Sequence, residues 1–166
     1  MDYSSFPLFR NLAKDDLAAF LSACREENLE AGTAFIETGS ESTDLYFVLS
    51  GSLEVFRHDE DGSERQLAVL QAPAVVGEME ALTGDRRAAS VRSREETLAL
   101  VLPCATLRQR FHRGDPATLQ IFLQITQVLA RRLTAMNEKF VELQQTGAPV
   151  RDLQRFQQKL FSEWTF

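Results

Sequence analysis

V-G-E-M-E-A-L-T-G-D-R-R-A-A-S-V, residues 76–91, is the stretch on which the fold turns. It opens with Gly77-Glu78, passes a loop holding Gly84, and closes on Arg86-Arg87-Ala88-Ala89-Ser90. Strand-like apolar runs flank it, Leu67 to Leu70 before and Leu98 to Leu102 after. Glycine lets a backbone approach a ligand closely. Free N–H groups at a helix start or in a turn nest attract negative charge. Arginine adds a planar donor fork that matches phosphate oxygens, and a carboxylate accepts from a sugar hydroxyl. Together these parts suit a sugar–phosphate. The plainer alternative is a solvated loop with two surface arginines and an acidic residue.

Upstream, from Leu29 to Leu70, the pattern is one of short strands: Phe35-Ile36, Leu45 to Leu49, Leu53 to Phe56 and Gln66 to Leu70. Turn signals separate them at Ala31-Gly32, Thr38-Gly39-Ser40, Ser50-Gly51-Ser52 and Asp59 to Ser63, where Asp61-Gly62 marks a hairpin. Such spacing argues for a β-roll or a small jelly-roll-like barrel. Before it, Pro7 to Glu27 reads as helical, with Leu8, Leu12, Leu17, Phe20, Leu21 and Cys24 on one face. After it, Leu98 to Leu102 reads as a buried strand ended by Pro103, and Cys104 to His112 as a short helix.

Asp115 to Gln145 is the second informative element. Asp115-Pro116 is a cap followed by proline at the first helical position. Leu119, Phe122, Thr126, Leu129, Leu133, Met136, Phe140 and Leu143 follow in heptad-like steps. A helix of about 30 residues would be about 45 Å long, too long to bury on a small barrel, and is expected to pair with a copy of itself. Val150 to Phe166 carries a further apolar stripe, Val150, Leu153, Phe156, Leu160, Phe161 and Trp164, on an amphipathic helix suited to folding back on the dimer or docking a partner.

Residues 76–91 resemble the phosphate-binding cassette of the cyclic nucleotide-binding domain family, which includes the catabolite activator protein and protein kinase A regulatory subunits. Val76-Gly77-Glu78-Met79-Glu80-Ala81 and Arg87-Ala88-Ala89-x-Val91 fall on the family pattern without a gap. The run L-Y-F-V-L-S-G-S-L-E-V-F, residues 45–56, resembles the same family, as does A-R-R-L-T-A-M-N-E-K-F, residues 130–140. The resemblance covers Phe6 to Leu143. It implies an α+β fold: a cyclic nucleotide-binding β-roll (jelly-roll-like) over 29–103, an N-terminal helical segment over 1–28, and a short helix and long C-terminal dimerisation helix over 104–146, followed by the amphipathic helix at 150–166.

For the site, the resemblance implies a cyclic phosphate paired with Arg87 and a ribose 2′-hydroxyl bound by Glu78. Gly77, Met79 and Ala89 belong to the same cassette, and backbone N–H groups near Glu80 and Ala88 complete the anion site. Arg132, Met136 and Asn137 are the corresponding residues of the long helix near the ligand; for Met136 and Arg132, interface core and a solvated helix flank are the plain alternatives. Ala88 resembles the residue of cAMP-selective members, where threonine would favour cGMP. The expected ligand is therefore cAMP, with cGMP second, and no metal. Two departures stand out. Ala81 is smaller than the usual leucine. Glu80 stands where the family places a small residue, and a carboxylate at about 4 Å from a phosphate is repelled by roughly 4 kcal/mol at an effective dielectric of about 20. Turning that side chain to water would cut the cost sharply.

The 166 residues, 44% hydrophobic and 25% charged, suit one globular domain. A net charge of −6 argues against binding nucleic acid or anionic membrane over the whole surface. Cys24 and Cys104 show neither a zinc nor a disulfide pattern and read as small core residues in a reducing compartment. The N-terminus lacks signal-peptide character, and no apolar run approaches the roughly 18 residues of a membrane span. A cytoplasmic location follows. His58 and His112 lack metal-ligand spacing, and Ser90 lacks a nucleophile context. The 17 residues after Pro149 hold no basic helix-turn-helix, so direct DNA binding is not expected.

The expectation is a non-enzymatic, homodimeric sensor (through 115–145) that signals to an unknown protein partner. The first rival is a ligand-free scaffold of the same fold used as a dimeric interaction module, for which Glu80 speaks. A second is a regulatory piece acting beside a larger enzyme, transporter or transcription machine. A β-roll metalloenzyme is third, and lacks clustered ligands.

Overall fold

The computed structural model describes residues 3–41, 44–59 and 61–146. Eight strands run in chain order: β1 (Arg25–Leu29), β2 (Ala34–Ile36), β3 (Asp44–Ser50), β4 (Ser52–His58), β5 (Glu64–Gln71), β6 (Ala74–Val76), β7 (Ser90–Ser93) and β8 (Thr97–Pro103). Four helices accompany them: α1 (Lys14–Leu21) before the strands, α2 (Glu78–Thr83) between β6 and β7, and α3 (Cys104–His112) and α4 (Pro116–Thr146) after β8. The strands form two antiparallel four-stranded sheets, ordered β1-β8-β3-β6 and β2-β7-β4-β5. This is the expected α+β β-roll with flanking helices. The segment 150–166, with its expected amphipathic helix, lies outside the described residues.

Strand alternation divides one core into two. On β3, Leu45 and Phe47 face the helices while Tyr46 and Val48 face the opposite sheet; on β8, Leu100 and Leu102 face the helices while Ala99 and Val101 point inward. Both faces of the first sheet are thus covered, which is why β8 is apolar on both sides. The helix-side core is aromatic. Phe6, Phe9 and Phe20 gather on Phe47, with ring centroids 6.0, 5.3 and 5.8 Å from it. Burying each such side chain contributes roughly 1.5–3 kcal/mol.

The N-terminal reading needs correction. Only Lys14–Leu21 of the Pro7–Glu27 stretch is helical. Phe6, Leu8 and Phe9 reach the core from turns closed by Phe9 N–H to Phe6 O and Leu12 N–H to Phe9 O. Residues 25–29, R-E-E-N-L, then form edge strand β1, in which Leu29 alone is buried. An edge strand exposed on one side has no apolar alternation to announce it.

The capping reading at α4 holds: the Thr118 N–H donates to Asp115 Oδ1 at 2.9 Å, and Arg110 Nη2 donates to Asp115 Oδ2 at 2.8 Å. The heptad seam is redistributed. Ala117, Ile121 and Ile125 are buried, with Phe122 and Leu129 packed partly beside them, whereas Leu119, Leu123, Leu133 and Val141 are exposed. Helical spacing puts these four on one stripe. Among the described residues, no helix is long and apolar enough to cross a membrane.

Candidate functional site

Strand β6 delivers the chain to Gly77, which caps α2 with φ 84°. Neither the angle nor the space allows a side chain there. A Cβ would overlap Arg87 Nη1 and come within 2.7 Å of the Asp44 carbonyl oxygen. The short helix α2 then places Glu78 inward, buried at the cavity edge, and leaves Met79 exposed at the mouth. The return loop is pinned by backbone bonds: Arg87 N–H to Ser40 O, and Gly39 N–H to Arg87 O. Ser90 Oγ accepts from the Thr38 N–H at 3.0 Å. The loop therefore rides on the turn after β2.

The two adjacent arginines have opposite surroundings. Arg86 pairs with Glu41 at the surface, with side chains 70% and 80% exposed. Arg87 is 1% exposed in its side chain. Its Nη2 donates to the Asp44 carbonyl, its Nη1 donates to Glu80 Oε2 at 3.2 Å, and its Nε has no partner among the described residues. A buried guanidinium demands a counter-charge, and Glu80 supplies it. The other oxygen, Glu80 Oε1, accepts from the Ala88 N–H at 2.9 Å. The carboxylate does not take the alternative of turning to water: Glu80 points inward, onto Arg87 and the backbone N–H expected to serve an anion. Its own carbonyl lies 3.4 Å from Arg108 Nη2 on α3.

Seven of the ten expected site residues line one cavity of about 330 Å³: Gly77, Glu78, Met79, Glu80, Arg87, Ala88 and Ala89. The facing walls are apolar, from Ile36, Val55, Leu67, Val76 and Val91. Such a chamber, charged at one end and apolar along its walls, fits a ligand with an anionic end and a flat apolar body. Asn137 is exposed on α4 and is not among the described lining residues. Arg132 and Met136 fall within α4, and their side chains lie outside the described residues.

Arg57 also lines the cavity, and sequence reasoning missed it. Two places after Val55 on β4, it shares that residue's face. The signal was an inward strand position occupied by a cation, visible once the strand phase was known. The two cysteines take no part. Burial pushes the Cys24 thiol up to about 12 and raises the Cys104 thiol, against the lowering effect of nearby arginines. Among the described residues no cluster of His, Cys, Asp or Glu could hold a metal ion.

The family model described as the cyclic nucleotide-binding domain matches residues 26–114. Among curated proteins, the chain is 34% identical over 96 residues to the cyclic AMP receptor protein of Thermus thermophilus, covering 58% of this chain and 44% of that one. It is 27% identical over 121 residues to the cAMP-activated global transcriptional regulator CRP of Salmonella typhimurium, covering 72% and 56%. The chain thus spans about half the length of the curated relatives it matches. Among solved structures, the Thermus thermophilus catabolite activator protein superposes with a TM-score of 0.69 at 30% identity, over 83% of this chain and 63% of that one. A cyclic nucleotide-binding domain from Methylobacillus flagellatus gives 0.71 over 84% and 78%, at 19% identity, a likeness of fold.

Proposed function

The chain belongs to the cyclic nucleotide-binding domain family, and from that premise we propose that it is a non-enzymatic nucleotide sensor, binding cAMP in preference to cGMP. One observation carries the proposal: a fully buried arginine, Arg87, at the anion end of a cavity whose walls are apolar. Burying a guanidinium is costly, and a site that receives an anionic ligand accounts for keeping one there. In this reading the cyclic phosphate meets Arg87 and the Ala88 N–H. The ribose hydroxyl meets Glu78, and the base lies along Val55, Leu67 and Val91. Ala88 in place of threonine supports the adenine preference through the family resemblance.

The sensor is proposed to work as a homodimer. Leu119, Leu123, Leu133 and Val141 form an apolar stripe along α4 that the core of the described residues does not cover. A second copy laid along it would bury that stripe. Asn137 lies on the same stripe, at the proposed seam. Arg132 and Met136 are the neighbouring lid residues of this reading. Nucleotide binding would then reach a protein partner through α3 and α4.

Calorimetric titration with cAMP and cGMP tests the reading, with Arg87→Ala as control. Micromolar or tighter binding, about −8 kcal/mol, lost in the variant, supports it. A folded protein that gives no heat with either nucleotide refutes it. One observation favours a second reading, a ligand-free scaffold of the same fold: the Glu80 carboxylate already occupies the anion end.

A further inference from the structure

The inference rests on the nucleotide reading above and concerns how its site is regulated. A ligand phosphate needs a charge partner and a backbone donor. Glu80 already engages both, one oxygen on Arg87 Nη1 at 3.2 Å and the other on the Ala88 N–H at 2.9 Å. The pair is inside the protein: the Glu80 side chain is 12% exposed and that of Arg87 1%. The anchoring of Arg87 does not depend on Glu80, because its Nη2 donates independently to the Asp44 carbonyl. Glu80 itself stands in a six-residue helix between exposed Met79 and buried Ala81, with solvent beside its carboxylate toward which a change of rotamer would turn it.

We propose that Glu80 is an internal competitor that fills the phosphate seat, so that nucleotide binds by exchanging one anion for another. The exchange leaves the charge on Arg87 matched before and after. The Coulomb attraction between phosphate and Arg87 is thereby offset in part by the attraction given up at Glu80. The incoming ligand wins through what a carboxylate lacks: a sugar for Glu78 and a base for the apolar walls. Arg87 Nε, without a partner among the described residues, adds a donor that the carboxylate leaves unused. Apparent affinity equals intrinsic affinity scaled by the open fraction. A seat filled nine-tenths of the time therefore weakens binding roughly tenfold. Glu80 sets the nucleotide concentration at which the site responds, and keeps stray inorganic anions out below it.

The test uses the full chain with Glu80→Ala and the near-isosteric, uncharged Glu80→Gln. Each is titrated with cAMP and cGMP and melted with and without inorganic phosphate at matched ionic strength. Expected for Glu80→Ala is binding about tenfold tighter, with Glu80→Gln between it and the wild type. Glu80→Ala should also gain thermal stability in inorganic phosphate, a gain absent in the wild type and abolished by adding Arg87→Ala. Equal or weaker nucleotide binding by both folded variants overturns the proposal, as does the absence of a phosphate response in Glu80→Ala. Were no cyclic nucleotide to bind any folded variant, the nucleotide reading would fail by itself, and the phosphate response alone would decide the role of Glu80.

Discussion

Gly77 and Arg87 are in van der Waals conflict with any side chain between them: a Cβ on Gly77 would overlap the Arg87 guanidinium. The glycine and the arginine therefore form one unit, ten positions apart, with the glycine defining the room in which the arginine lies. Gly77→Ala is expected to lose nucleotide binding and to destabilise the fold. The left-handed backbone alone costs roughly 1–2 kcal/mol, and displacing the buried guanidinium adds to it. Urea denaturation beside a binding titration checks both. Unchanged affinity would show that Arg87 is not held by this contact.

Neighbouring arginines should separate cleanly. Arg86→Ala removes an exposed ion pair with Glu41, worth about 0–1 kcal/mol, and should leave binding unaltered. Arg87→Ala should cost binding about 2–5 kcal/mol, the range for truncating one partner of a buried charge pair. Parallel calorimetry of the two variants reads the contrast; similar losses in both would place the anion elsewhere.

Asp115 ties α3 to α4. Burial alone would raise its carboxyl, but the Thr118 hydroxyl and N–H and the Arg110 guanidinium bring it below its ordinary value. A folded pKa below the unfolded one means stability present above the unfolded pKa of 3.8 and lost as pH falls through the lower folded value. Asp115→Ala should cost roughly 0.5–2 kcal/mol at neutral pH and flatten the acid limb of a pH–stability curve below pH 4 or so. Asp115→Asn should keep the neutral-pH cap in part while flattening the same limb. An unchanged acid limb in both would assign the effect to another carboxylate.

The stripe on α4 predicts an assembly. Sedimentation of the wild type should give twice the 18.7 kDa chain mass. Leu133→Glu, at a position 57% exposed, should give the chain mass with the β-roll still folded. Placing a like-charged pair at an apolar seam opposes pairing without disturbing a surface residue of the monomer. A monomeric wild type would remove the dimer from the functional reading.

The cassette was legible because its chemistry is local. Gly77, Glu78, Arg87 and Ala88 stand within a dozen positions and line one cavity, and a motif reports them together. β2, β3, β4, β5 and β8 were legible through apolar runs. β1 was not, since R-E-E-N-L pairs along an edge and buries one residue. β6 was missed because A-V-V is only three residues long and leads directly into the cassette, and β7 because S-V-R-S straddles the cassette's end and buries serines. Glu80 was read as an intruder near phosphate. Its inward pairing required knowing that Arg87 is sealed from water, a consequence of tertiary packing. Arg57 required the phase of β4. The α4 seam was drawn from periodicity alone, which cannot tell a stripe facing the chain's own core from one facing outward.

The strand order has a consequence for synthesis. β1 pairs with β8 and β2 with β7, so the first strands to leave a ribosome find their partners only among the last. Residues 25–29 wait for 97–103. Until then the nascent β1 edge is open, and neither sheet is complete. The anion seat lies on the connection between β6 and β7 and is roofed by the turn after β2, so it too forms late, when Ser90 reaches Thr38. Non-local pairing of this kind is slow to nucleate and exposes strand edges while it is pending. The chain is thus committed to folding as a whole after its β-region has emerged, and a product halted before Pro103 would be prey for holdases and proteases, with no partly formed cavity left behind.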